Sequence, residues 1–96
     1  MPVYISLMKW TSQGFGGLPA WRDRMEESER AIDERGGALI AAYVTLGRYD
    51  VVEIFEAPDD ETAAQILVAV TRHGNVTTET LRAFTRDEAE AIVRSL

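Results

Sequence analysis

From Val3 to Trp10 apolar and aromatic side chains fall on both parities of an extended run. Val3, Ile5 and Leu7 lie on one side and Tyr4, Met8 and Trp10 on the other, with Ser6 among them, which predicts a strand covered on both faces. Residues 11–20, TSQGFGGLPA, read as a glycine-rich turn in which Pro19 suits the first turn of a helix. In AWRDRMEESERAIDERGG, Trp21, Met25, Ser28 and Ile32 recur at helical spacing while Glu26, Glu27, Glu29 and Arg30 occupy the rest of the circumference. That is an amphipathic helix closed by Gly36-Gly37. ALIAAYVTLG and YDVVEIFEA are rich in β-branched and aromatic residues, and Gly47-Arg48 between them predicts a tight antiparallel hairpin. After Pro58 the acids Asp59, Asp60 and Glu61 mark a helix N-terminus, capped by Asp59 or Asp60. Its buried stripe is Ala63, Ile66, Leu67 and Val70, and it stops at His73-Gly74. NVTTETLRAF predicts a fourth strand. Thr85 and Glu88 then form a capping box ahead of a short terminal helix bearing Ala89, Ile92, Val93 and Leu96.

The order strand, helix, strand, strand, helix, strand, helix predicts an α+β fold of ferredoxin-like βαββαβ type. A single domain over residues 1–96 would hold a four-stranded antiparallel sheet with both longer helices on one face and a short C-terminal helix beyond. The other face stays open. The alternation assigns to it Tyr4, Ser6, Met8 and Trp10 with Tyr43, Thr45, Glu53, Phe55, Thr78 and Thr80, a set too apolar for free water and too polar for a dry core. A second subunit laid across that face would resolve the conflict.

Composition narrows the function classes. Ninety-six residues with 46% apolar content suit one domain, and a domain this small often gains stability by covering a face with another copy. Ten basic against sixteen acidic residues, net −6, with no cluster of lysines or arginines, disfavours nucleic acid. The absence of cysteine excludes disulfides and thiolate metal sites and fits a cytoplasmic location. No stretch approaches the roughly twenty apolar residues of a membrane span, so no membrane partner is expected.

The segments YVTLGRYDVV, EAPDDETAA and GNVTTETLRAFT together closely resemble the GYD-domain family of small bacterial proteins. Its signature falls on Gly47, Tyr49 and Asp50, with Arg48 at the variable place. The chain departs from the usual pattern in GFGGLPAW, where the family more often carries a longer polar and basic turn, and at Glu53, where an apolar residue is commoner. The resemblance implies a dimeric α+β barrel: a homodimer, or a higher homo-oligomer, with sheets face to face around a cavity. Relatives in that superfamily use such cavities for cofactor-free oxidation, isomerisation of small molecules or haem binding, and fold analogy does not choose among them.

Candidate residues follow. Gly47 supplies a positive φ for the hairpin, and Asp50 suits hydrogen bonding to turn amides, which makes a structural role for Tyr49-Asp50 the stronger reading and catalysis by the pair the weaker one. Glu53, flanked by Val51, Val52, Ile54 and Phe55, would have its pKa raised by desolvation toward the range of a general base, with a tyrosine as proton donor; the alternative is a salt bridge with Arg82. Tyr4, Trp10, Tyr43 and Phe55 would shape a ligand pocket, with Thr78 and Thr80 adding polarity. His73, the only histidine, sits at a helix end and would reach a haem only if that end met the cavity. No spacing of His, Asp and Glu suggests a metal, GFGG lacks a dinucleotide fingerprint, and no nucleophilic triad can be assembled, so no cofactor is expected. Two readings stand: a small-molecule-binding protein, or a cofactor-independent enzyme transferring protons on a small apolar or aromatic compound, and a non-catalytic binding or assembly protein whose sheet face only joins subunits.

Overall fold

In the computed structural model, which describes residues Met1–Leu96, the run Val3–Trp10 forms strand β1 and lies inside a four-stranded sheet. A short helix α1 (Ser12–Gly16), a 3-10 turn (Leu18–Ala20) and helix α2 (Trp21–Asp33) follow. Strands β2 (Ala38–Val44) and β3 (Val51–Glu56), helix α3 (Asp60–Thr71), strand β4 (Val76–Ala83) and helix α4 (Arg86–Arg94) complete the chain. The strand order is β2-β3-β1-β4 with every pair antiparallel. This is the ferredoxin-like arrangement expected from the element order.

Register decides which side chains the helices cover. Ser6 lies opposite Glu53 on β3 and Thr80 on β4, Tyr4 opposite Phe55 and Arg82, and Met8 opposite Val51 and Thr78. Tyr4, Ser6, Met8, Val51, Glu53 and Phe55 are all buried, and the core joins Tyr4 and Phe55 to Ile32 of α2, Ala57, and Ala63 and Ile66 of α3. The expectation that Tyr4, Ser6, Met8, Trp10, Glu53, Phe55, Thr78 and Thr80 face away from the helices is therefore reversed. Small residues such as Ala63 leave room for the rings of Tyr4 and Phe55, which stack with centroids 5.3 Å apart. The uncovered face carries the other parity, Val3, Ile5 and Leu7 with Val52, Ile54 and Leu81. Tyr43 does lie on this face, because a register shift between Leu39 and Ala41 returns β2 to the opposite parity and sets Tyr43 against Val52. Thr45 lies beyond the end of β2.

Local chemistry accounts for most element ends. The Asp59 carboxylate accepts from the Thr62 amide at 2.8 Å and caps α3, which holds its carboxyl below the usual range. Thr85 and Glu88 form the reciprocal capping box of α4. The link from β2 to β3 is longer than the tight turn expected: residues 45–50 bend back through Thr45 N–H to the Asp50 carbonyl and the Thr45 hydroxyl to the Tyr49 carbonyl, while Gly47 takes φ 107°. The supposed glycine-rich turn holds a helical turn because the Thr11 hydroxyl accepts from the Gly14 amide. Helix α4 buries none of its side chains; Ile92, Val93 and Leu96 remain exposed.

Candidate functional site

A cavity of about 260 Å³ lies between the covered face of the sheet and the helices. Met8, Trp10, Val51 and Glu53 form its sheet wall; Trp21, Met25 and Ser28 come from α2, Val70 from α3, and His73, Asn75 and Val76 from the turn into β4. One turn of α2 separates Trp21 from Met25 and Ser28 from Met25, so the helical stripe read in the sequence is the stripe that meets the cavity.

Glu53 is 2% exposed, and its only side-chain partner is the Ser28 hydroxyl, 3.1 and 3.2 Å from its two oxygens. A hydroxyl carries one hydrogen, so it donates to one of those oxygens at a time. Burial pushes the Glu53 carboxyl above its ordinary range, and the Ser28 bond offsets part of that rise. The salt bridge expected with Arg82 is absent: Arg82 pairs with Asp60 at 3.9 Å. Beside Glu53 in the sheet, Ser6, Thr80 and Thr78 link their hydroxyls at 2.9 and 2.8 Å and satisfy one another.

Arg24 was not singled out by sequence reasoning. Its Nη2 donates to the carbonyls of Gly14 and Gly17, both at 3.2 Å, which turns the guanidinium under the α1 segment and onto the cavity wall. Its Nε and Nη1 are buried with no acceptor. Arg30, Arg35 and Arg72 also line the cavity, and the salt bridges of the chain, Arg22–Glu26, Arg82–Asp60 and Arg94–Glu90, involve none of these four. The α1 segment is fastened across the cavity end. Gln13 donates to the His73 carbonyl and to Asn75, and the Thr11 hydroxyl donates to the Gly74 carbonyl. Gly14 packs so closely that a Cβ there would stand 2.1 Å from the Asn75 carbonyl oxygen.

Of the residues expected to form a site, Trp10, Glu53 and His73 are on the cavity wall. Tyr4 and Phe55 are packed into the adjoining core. The Tyr4 hydroxyl donates to Asp60 at 2.6 Å, and burial, then that bond, push its pKa up to about 12. Thr78 and Thr80 belong to the hydroxyl chain behind Glu53. Tyr43 and Tyr49 lie on the other side of the sheet, where the Tyr49 hydroxyl donates to Glu79, a bond that raises its pKa, and Lys9 stands 5.8 Å above its ring. No tyrosine lines the cavity. The Asp50 carboxylate accepts from the Trp10 amide at 2.9 Å, tying the end of β1 to the start of β3, while only its backbone carbonyl closes its own turn. No three His, Asp or Glu side chains converge as a metal site would require.

Residues 4–93 match the GYD domain. The chain belongs to the GYD-domain family. A relative from Thermus thermophilus, the glutamine synthetase and cystathionine beta-lyase binding protein, is 33% identical over 84 residues, covering 86% of this GYD chain and 88% of the relative. Among solved structures, FFRP-DM1 superposes with a TM-score of 0.61 at 19% identity, over 88% of this chain and 100% of its own. The 5-chloro-2-hydroxyhydroquinone dehydrochlorinase of Burkholderia phenoliruptrix, in complex with 2,5-dihydroxybenzoquinone, gives a TM-score of 0.60 at 12% identity, over 88% and 94%. These likenesses establish a ferredoxin-like α+β fold for this GYD protein. No helix in it is long and apolar enough to cross a membrane.

Proposed function

We propose that this GYD protein binds a small, largely apolar or aromatic molecule in the cavity between its sheet and helices, as a homodimer whose uncovered sheet faces close over one another. The observation that carries the reading is Glu53: a buried carboxyl with no basic partner, on the wall of a void whose apolar lining includes Met8, Trp10, Trp21 and Met25. A structural role would be served as well by an apolar residue without the desolvation cost, so the carboxyl is best accounted for by chemistry or recognition at the cavity. Should the protein turn its ligand over, Glu53 is the group placed to take a proton from one ligand atom and return it to another. Such an exchange needs no metal or nucleotide.

The decisive experiment is native mass spectrometry of the protein purified from its own host, with release and identification of anything bound. A dimer carrying a small organic compound is expected. An empty protein whose Trp10 and Trp21 indole resonances stay still through a library of small aromatic compounds would overturn the reading. A second reading, docking onto another protein, draws on the name of the Thermus relative and on the exposed stripe of α4. It is tested by offering glutamine synthetase and cystathionine beta-lyase to the chain and to an Ile92→Asp variant.

A further inference from the structure

The cavity reverses the charge balance of the chain. Acids outnumber bases sixteen to ten overall, yet four arginines, Arg24, Arg30, Arg35 and Arg72, face this one void against three glutamates, Glu27, Glu34 and Glu53. None of the four guanidinium groups has a carboxylate within 4.0 Å. Arg24 and Arg35 are half-buried on this concave wall and Arg30 and Arg72 stand exposed at its rim, and cations gathered at a concavity focus a positive field there.

Arg24 sharpens the observation. A guanidinium offers five N–H donors, and here Nη2 is used by two glycine carbonyls while Nε and Nη1 are shielded from solvent with nothing to accept from them. Buried donors left unmatched cost about 1–3 kcal/mol each, more when charged, so native proteins seldom keep them without a partner. Glu53 does not meet that need: its carboxyl bonds only to the Ser28 hydroxyl.

We infer that the ligand of this cavity is a small organic anion with a planar apolar body, its charged oxygens drawn to the wall that carries Arg24, Arg30, Arg35 and Arg72 and its body lying against Trp10 and Trp21. The inference rests on the reading of the cavity as a binding site and adds the chemical class of the occupant. The recognition is of the kind suited to an aromatic or unsaturated carboxylate: indoles for a flat hydrocarbon face, charge-assisted donors for the oxygens.

Three probes of nearly one shape test it: 2-naphthoate, 2-naphthamide and 2-naphthylmethylammonium. The two tryptophans of the chain both line the cavity, so their indole resonances report on occupancy while the Arg24 side-chain resonance reports on the charged end. Naphthoate is expected to bind about tenfold or more tightly than the amide, the size of one charge-assisted hydrogen bond, with the ammonium weakest. In Arg24→Gln most of the advantage of naphthoate should vanish while the amide constant stays within about twofold. Equal binding of acid and amide to the unmodified protein overturns the inference, and so does an advantage that survives Arg24→Gln. The probe comparison on the unmodified protein stands even where the variant fails to fold. If none of the three moves the indole resonances at millimolar concentration, the binding-site reading itself falls, so the two failures are told apart.

Discussion

The central rows of the two sheet faces are composed the wrong way round for a protein that only needs to fold. Across the middle of the covered face runs the row Ala42, Glu53, Ser6, Thr80; across the uncovered face, one residue along, runs Ala41, Ile54, Ile5, Leu81. The hydroxyls and the carboxyl are inside, and the aliphatic row is outside. Burying polar groups costs free energy, and exposing a continuous aliphatic patch invites association. In the proposed function each face is completed by something beyond the lone chain: a ligand beside the polar row, a second copy over the aliphatic one.

The largest effect is expected at the junction of core and covered face. Phe55→Ala removes a ring that is 1% exposed and stacked on Tyr4, and should lower stability by about 3–5 kcal/mol in chemical denaturation. Its neighbour on the other face separates the two roles. Ile54→Asp should weaken self-association by about 2 kcal/mol or more, roughly thirtyfold, with dimer and protomer resolved by light scattering across a dilution series. A variant that remains dimeric under dilution would mean that the aliphatic row is not the contact.

Glu53→Gln probes the polar row through pH. An acid whose folded pKa is raised holds its proton longer in the native state than in the unfolded chain. Its contribution is favourable at and below the unfolded value and is lost as pH climbs toward the folded one, with no further change above. The unmodified protein should therefore lose stability between acid and neutral pH on this account, and the Gln variant should show a smaller decline in denaturation midpoint over the same range. An identical profile would place the Glu53 carboxyl in water. The smallest effect belongs to Tyr49→Phe: its hydroxyl reaches Glu79 on the uncovered face, and loss of so exposed a bond should leave the denaturation midpoint of the protomer nearly unchanged. A larger loss confined to the dimer would put Tyr49 and Glu79 inside the contact.

Much of this was legible beforehand, for identifiable reasons. The order of the strands and longer helices, a cap at Asp59 or Asp60, the Thr85–Glu88 box and the glycine at the β2–β3 turn are local signals, and the structure bears them out with Asp59 as the cap. The facing of the strands was not legible. In β1 both Val3, Ile5, Leu7 and Tyr4, Met8, Trp10 are apolar, so alternation could not vote, and the choice between them lies in how large rings fit against small helix residues. Glu53 stood out as a carboxyl among apolar neighbours. Arg24 did not, because within RDRMEESER it is one charge among many, and only the carbonyls of a segment read as an irregular turn swing it inward.

The fastening of α1 has one more implication. Thr11 and Gln13 hold the blunt end of the chamber shut through exposed bonds to residues 73–75, each contributing about 1 kcal/mol, whereas the strands beneath are knit by ladders on both sides. Bonds so exposed make that corner the first place expected to open locally, and amide hydrogens of residues 12–17 should exchange with solvent ahead of those in β1.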